Sequence, residues 1–287
     1  MYAVTGITGQ VGGATARNLL EAGLKVRAVV RDAAKGVAWA EQGCEVAISD
    51  MSDPAALTAA FTGVEGVFLL IPPMFDPAPG FPEIRGIINV LARVITAAQP
   101  PKVVCLSTIG AQATQPNLLN QLGLVEQALS TLPVPVCFLR AAWFMENAAL
   151  DVAPAKAGAV PSFLQPLDKP VPMIATADIG RLAASLLQQD WQGRRVVELE
   201  GPAKVTPNDI AATFAKLLGH PVTMQPVPRD TWEALFSSQG MQNPAPRAQM
   251  LDGFNEGWIA FEGGGIEHVS GKTTLETVLA GLIQAVG

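Results

Sequence analysis

The chain has 287 residues, 49% of them hydrophobic and 15% charged, with a formal net charge of −6. That length suits one large α/β domain or a domain with a smaller lobe, and the apolar content predicts a sizeable core or an apolar pocket. An acidic balance without a Lys/Arg run argues against direct contact with nucleic acid, and no apolar stretch reaches the roughly 18–20 residues of a membrane span.

A short buried strand is expected over residues 2–5. Gly6, Gly9 and Gly12 follow at three-residue spacing, and a helical pattern runs over residues 11–22. Strand, glycine turn and helix in that order form a phosphate-binding unit. Glycines let the backbone approach a pyrophosphate, and the helix N-terminus offers unpaired N–H groups and partial positive charge. The plain alternative is a tight turn without ligand, and the order of the elements weighs against it. A strand beginning at residue 2 leaves no room for a leader peptide. Cys44, Cys105 and Cys137 are isolated and read as buried thiols of a cytoplasmic protein. His220 and His268 share no ligand spacing, so no metal site is expected.

The second strand is expected over residues 25–30 and ends at Arg31-Asp32. An acidic residue near this point holds the ribose 2′-OH of NAD, whereas an Arg suits a 2′-phosphate. Arg31 therefore favours NADP, while Asp32, which could equally cap the next helix, leaves NAD open. A helix over 33–42, a strand over 44–49 and a helix from Pro54 to Phe61 capped by Asp53 follow. Asp50, at a strand end, could accept from the adenine amino group or serve only the turn.

Residues 66–71 form a fully apolar strand, as a parallel sheet covered on both faces requires. The loop after Pro72-Pro73 carries Met74, Phe75 and Phe81, candidates for a substrate pocket as well as for plain packing. A helix over 83–98, a strand over 102–106, a helix over 118–132 and a strand over 134–139 complete a doubly wound parallel sheet. Trp143 and Phe144 extend the candidate pocket. Ser107, at a strand end, is a candidate cofactor contact, and Ser107 or Asn120 could orient a polar atom of the substrate.

Beyond residue 150 the alternation loosens. Helices are expected over 176–189, 207–218 (capped by Thr206), 229–236 and 245–256, with strands over 196–200 and 222–227. The expected division is a Rossmann domain over 1–150, with return elements from about 174–200, and a smaller mixed α/β substrate-binding lobe over 151–287. Gly263-Gly264-Gly265 with Gly271-Lys272-Thr273 has part of the composition of a P-loop. Its spacing is five residues rather than four, and no strand is read ahead of it, so a flexible loop and a helix start at Thr273 or Thr274 are expected. Lys169 and Arg181 are read as surface charges.

Several segments together resemble the NmrA-like branch of the atypical short-chain dehydrogenase/reductase superfamily. They are V-T-G-I-T-G-Q-V-G at 4–12, A-V-V-R-D at 28–32, S-D-M at 49–51, L-L-I-P-P at 69–73, L-S-T-I-G-A at 106–111, L-R-A-A-W-F-M-E-N at 139–147, E-L-E-G-P-A-K-V-T at 198–206 and T-T-L-E-T-V-L at 273–279. Within that branch the pattern is similar to NADPH quinone reductases of the second type and triphenylmethane dye reductases. The resemblance implies bound NADP. It would set Thr8, Gly9, Gln10, Val11 and Gly12 at the pyrophosphate and Arg31 at the 2′-phosphate. Ile71, Pro72, Pro73, Arg140, Ala141, Ala142 and Trp143 would lie near the ribose and nicotinamide.

Many short-chain dehydrogenases protonate their substrate with the Tyr of a Y-x-x-x-K motif. Here the only tyrosine is Tyr2, and the stretch 118–126, where that motif would fall, has Leu122 where relatives often carry Lys or His. Glu126 is its only titratable group and is read as supporting packing or a loop. Two readings follow. In one, the chain is a reductase passing hydride to a quinone, dye or similar conjugated acceptor held in an apolar pocket, with water supplying the proton. In the other, it binds NADP(H) without turnover and reports its redox state to a protein partner. A homodimer is compatible with either.

Overall fold

The computed structural model describes residues 1–286. In chain order its first half comprises β1 (Tyr2–Val4), α1 (Gln10–Glu21), β2 (Val26–Val30), α2 (Ala33–Glu41), β3 (Glu45–Ile48), α3 (Pro54–Phe61), β4 (Gly66–Leu69), α4 (Pro82–Ala98), β5 (Val103–Thr108), α5 (Asn120–Leu129) and β6 (Val136–Ala141). These strands pair in parallel in the order β6-β5-β4-β1-β2-β3. Between β1 and β4 the order reverses, which opens a crevice at the carboxyl ends of the strands.

The alternation of side chains explains why the strands read as continuous apolar runs. On β2, Val26, Ala28 and Val30 face the core beneath α1, while Val29 joins the opposite core with Leu57, Phe61, Ile84 and Leu91 from α3 and α4. Both faces are thus dry. Thr5 fastens β1 to β4 at the carboxyl edge: its hydroxyl donates to the Leu70 carbonyl at 3.0 Å, and its oxygen accepts the Leu70 N–H at 2.7 Å.

The second half is richer in strands than its proline content suggests. It contains β7 (Trp143–Phe144), a 3-10 segment (Met145–Asp151), α6 (Val152–Lys156), β8 (Ala159–Ser162), β9 (Met173–Ile174), α7 (Thr176–Leu187), β10 (Arg194–Glu200), α8 (Pro207–Leu218), β11 (Thr223–Pro226), α9 (Trp232–Ser238), α10 (Ala245–Glu256), β12 (Glu267–Ser270) and α11 (Leu275–Val286). β10 and β12 extend the main sheet to eight parallel strands, in the order β12-β10-β6-β5-β4-β1-β2-β3. Residues 267–270, which the sequence places in the lobe, therefore return to the sheet. The pairs β7–β9 and β8–β11 stand apart, and Trp232, Phe236, Phe214 and Phe254 fill the lobe's own core. α8 starts at a reciprocal cap: the Thr206 hydroxyl accepts the Asp209 N–H, and Asp209 accepts the Thr206 N–H. No helix among the described residues is long and apolar enough to cross a membrane.

β12 corrects the expectation that no strand precedes Gly271. The loop it feeds is closed by protein, because the N–H groups of Lys272 and Thr273 donate to the Asp178 carboxylate at 2.8 and 2.7 Å. Burial raises the pKa of Asp178, but these bonds and the Arg181 guanidinium outweigh it, and the carboxyl lies below its ordinary value.

Candidate active site

The glycine turn leads from β1 into α1. Gly6 takes φ +63°, a left-handed conformation that suits glycine. A Cβ on Gly12 would lie 2.3 Å from the Gly6 carbonyl oxygen, so the turn folds this tightly only with glycine at that position. A Cβ on Gly9 would meet only the same oxygen, at 3.3 Å, and otherwise open space. Gly9 is the N-cap of α1, and no side chain caps the helix there. Thr8, Gly9 and Gln10 are exposed. The Gly9 N–H is spent on the Gly6 carbonyl at 2.9 Å. The N–H groups of the first turn of α1 beyond it have no helical partner, and with room above them they form a cradle that fits an anionic pyrophosphate.

Arg31 is exposed at the end of β2 and forms no ion pair among the described residues. Asp32 accepts the Ala34 N–H at 2.9 Å as the cap of α2. Asp50 accepts both the N–H and the hydroxyl of Ser52, bonds that hold its carboxyl below the ordinary value. Of these three, Arg31 alone has an uncommitted head group, and it suits a 2′-phosphate.

Next to the cradle lies a cavity of about 370 Å³. Ile71, Pro72, Pro73, Met74 and Phe75, leaving β4, form one wall, Leu118 and Leu122 another, and Phe144 a third. Gln10 and Val11 open it toward the glycine turn. Its fixed polar side chains are Ser107, Thr108, Gln121 and Thr176; the sequence reading had named only Ser107. Gln121 and Thr176 lie on helices whose apolar neighbours masked them. Asp76, in the same loop as Met74, accepts the N–H groups of Gln242 and Asn243 at 2.8 and 2.7 Å and ties that loop to the lobe.

The structure does not bring every expected residue here. Phe81 and Asn120 line a second cavity, of about 820 Å³, on another face of α5. The Asn120 amide is spent on the Asn117 N–H and the Ala113 carbonyl. Trp143 packs edge-on against Phe254 at 5.1 Å in the lobe core. Ala141 and Ala142 are buried in the core of the sheet. Arg140 turns away into a buried acid cluster: its Nε and Nη2 donate to Glu126 at 2.9 and 2.7 Å, and its Nη1 donates to Glu262 at 2.6 Å with Glu198 at 3.8 Å. Burial opposes the charge of Arg140, but these carboxylates more than offset it and raise its pKa above the arginine range. Glu126 also receives the Ser107 hydroxyl at 2.6 Å. It is therefore the hub of this cluster, a larger part than the packing or loop support read from sequence. Its partners are distant in the chain, so no local signal marks it.

An eight-stranded parallel sheet with a glycine cradle at its switch point defines a Rossmann-type nucleotide-binding protein. The chain matches the NmrA-like family over residues 2–257 and belongs to it. It is 29% identical to quinone oxidoreductase 2 of Escherichia coli over 253 residues, covering 88% of this chain and 85% of that one. It is 27% identical to an NAD(P)H azoreductase of Xenophilus azovorans over 261 residues, covering 89% and 85%. Among solved structures, the NADPH-dependent quinone oxidoreductase of E. coli complexed with NADPH superposes with TM-score 0.80 at 25% identity over all of both chains. The triphenylmethane reductase of a Citrobacter species shares the fold, with TM-score 0.79 at 22% identity over 99% of each chain.

Proposed function

We propose that this chain is an NADPH-dependent reductase that passes hydride to a small apolar conjugated acceptor such as a quinone or an azo compound. The observation that carries the reading is the apolar cavity that begins where the phosphate cradle ends. When bound, the nicotinamide supplies the hydride with its electron pair. The chain supplies position. The N-terminus of α1 holds the pyrophosphate, Arg31 takes the 2′-phosphate, and Ile71, Pro72 and Pro73 bound the space for the nicotinamide. Met74, Phe75 and Phe144 hold a flat acceptor against it in a water-poor site. The cavity lining contains no Tyr, Lys, His, Asp or Glu, and Tyr2 opens β1 in the core. Solvent therefore supplies the proton. The relatives named quinone oxidoreductase and azoreductase support the acceptor class.

The test follows NADPH oxidation at about 340 nm against quinones and azo or triarylmethane dyes, after cofactor binding is established by fluorescence. Turnover with any of them supports the proposal. Tight NADPH binding without turnover across the panel overturns it in favour of a redox sensor with a protein partner.

A further inference from the structure

The polar side chains of the cavity share a property that their identities do not reveal: each has already spent its protons. The Ser107 hydroxyl donates to Glu126 at 2.6 Å, and the Thr176 hydroxyl donates to Glu146 at 2.7 Å. Both partners are carboxylates, which only accept, so the direction of each bond is settled. The Thr108 hydroxyl donates to the Ile109 carbonyl at 3.1 Å. Gln121 spends both hydrogens of Nε2, on the carbonyls of Met74 at 3.0 Å and Leu118 at 3.2 Å. Each of these groups keeps lone pairs and no hydrogen. Pro72 and Pro73 contribute no N–H to the opposite wall. Among the lining side chains, Gln10 alone keeps a free donor, and it stands at the phosphate end.

Ser107 is the most firmly fixed of the set. Glu126 is itself clamped by two bonds from Arg140, so rotating the hydroxyl toward a ligand would strip one bond from a buried carboxylate. Leaving a charged buried group short of a partner costs more than a neutral bond returns.

We propose that Ser107 is a specificity-determining residue that selects acceptors bearing an N–H or O–H donor on the conjugated ring. This rests on the reductase reading of the same cavity. Sequence alone leaves open which polar atom of the substrate Ser107 would orient; in this assignment it accepts from a substrate donor. A substrate offering only carbonyl oxygens leaves the cavity's lone pairs unpaired, and such mismatches are discriminated strongly.

The test compares aminonaphthoquinone with its methoxy and dimethylamino analogues, which retain the ring and lose the donor. Affinities are measured by calorimetry on NADP⁺-loaded protein, so the cofactor's carboxamide is constant and turnover is not required. The amino compound is expected to bind about tenfold more tightly than either analogue, a difference typical of one charge-backed hydrogen bond. Ser107→Ala should erase the difference by weakening the amino compound alone, and Ser107→Thr should restore it. Equal wild-type affinities for all three, or a preference unchanged in Ser107→Ala, overturn the proposal. A merely structural role for Ser107 would weaken all three alike and overturns it too. NADPH oxidation by each of the three compounds, followed in separate samples with NADPH in place of NADP⁺, tests the reductase reading; if none is reduced, that reading fails while the affinity comparison still decides donor selection.

Discussion

The Asp178 carboxylate accepts both the backbone N–H and the hydroxyl of Thr273, at 2.7 and 3.0 Å, and so joins the first turn of α7 to the approach to α11. The loop whose glycines, lysine and threonine suggest a nucleotide site carries its own fixed anion. Asp178→Asn should destabilise the protein by about 1–3 kcal/mol at neutral pH, measured by urea unfolding. The depressed pKa fixes the sign of the pH dependence: the contribution is present above the unfolded value of about 4 and is lost as pH falls through the lower folded value. The gap between wild type and Asp178→Asn should therefore narrow in acid. A gap that widens below pH of about 4 would contradict the assigned bonds.

Gly9 and Gly12 are expected to fail in different ways. Gly12→Ala places a methyl against the Gly6 carbonyl and should lower the unfolding midpoint. Gly9→Val points into the open cradle and should leave the midpoint close to wild type while abolishing NADPH binding. Thermal unfolding with and without NADPH separates the two, and retained NADPH binding in Gly9→Val removes the cradle from the phosphate role.

Arg31→Glu should weaken NADPH about 10–100-fold, the value of one or two charged hydrogen bonds, and NADH far less. Equal losses for the two cofactors, measured by fluorescence titration, would take Arg31 away from the 2′-phosphate.

Arg140→Met leaves the buried carboxylate of Glu198 without a guanidinium and Glu126 with only that of Arg194, at 3.5 Å. A loss of about 3–5 kcal/mol in unfolding free energy is expected, and adding Glu126→Gln should recover part of it. A double-mutant cycle checks this; strictly additive losses would show that the two residues do not share a bond of consequence.

How far the sequence disclosed these features depends on how local their causes are. The β1–α1 unit was legible because a glycine spacing, a strand and a helix lie within about twenty residues. α8 was legible to the residue from its cap, since Thr206 sets its start at Pro207. β12 was not legible: Glu267, His268, Val269 and Ser270 form an outer strand with one mostly exposed side, and no apolar run announces it. Separating Phe81 from Met74 and Phe75 required knowing that α4 starts at Pro82 and carries Phe81 to another face of α5. The acid cluster was hidden for a different reason, because Arg140 meets Glu262 across 122 positions and only the sheet brings them together.

The tie from Asp76 to Gln242 and Asn243 gives the cavity an uneven doorway. The walls made by β5 and α5 belong to the rigid sheet core, whereas the wall bearing Met74 and Phe75 leaves β4 and is held by the Gln121 amide on the Met74 carbonyl and by the Asp76 carboxylate on the lobe. Phe75 stands 60% exposed on that wall. Swinging this flap outward would break these two charge-assisted bonds together with the Gln121–Met74 bond while leaving the strands of the sheet paired, so Asp76 and Gln121 would share control of access to the cavity.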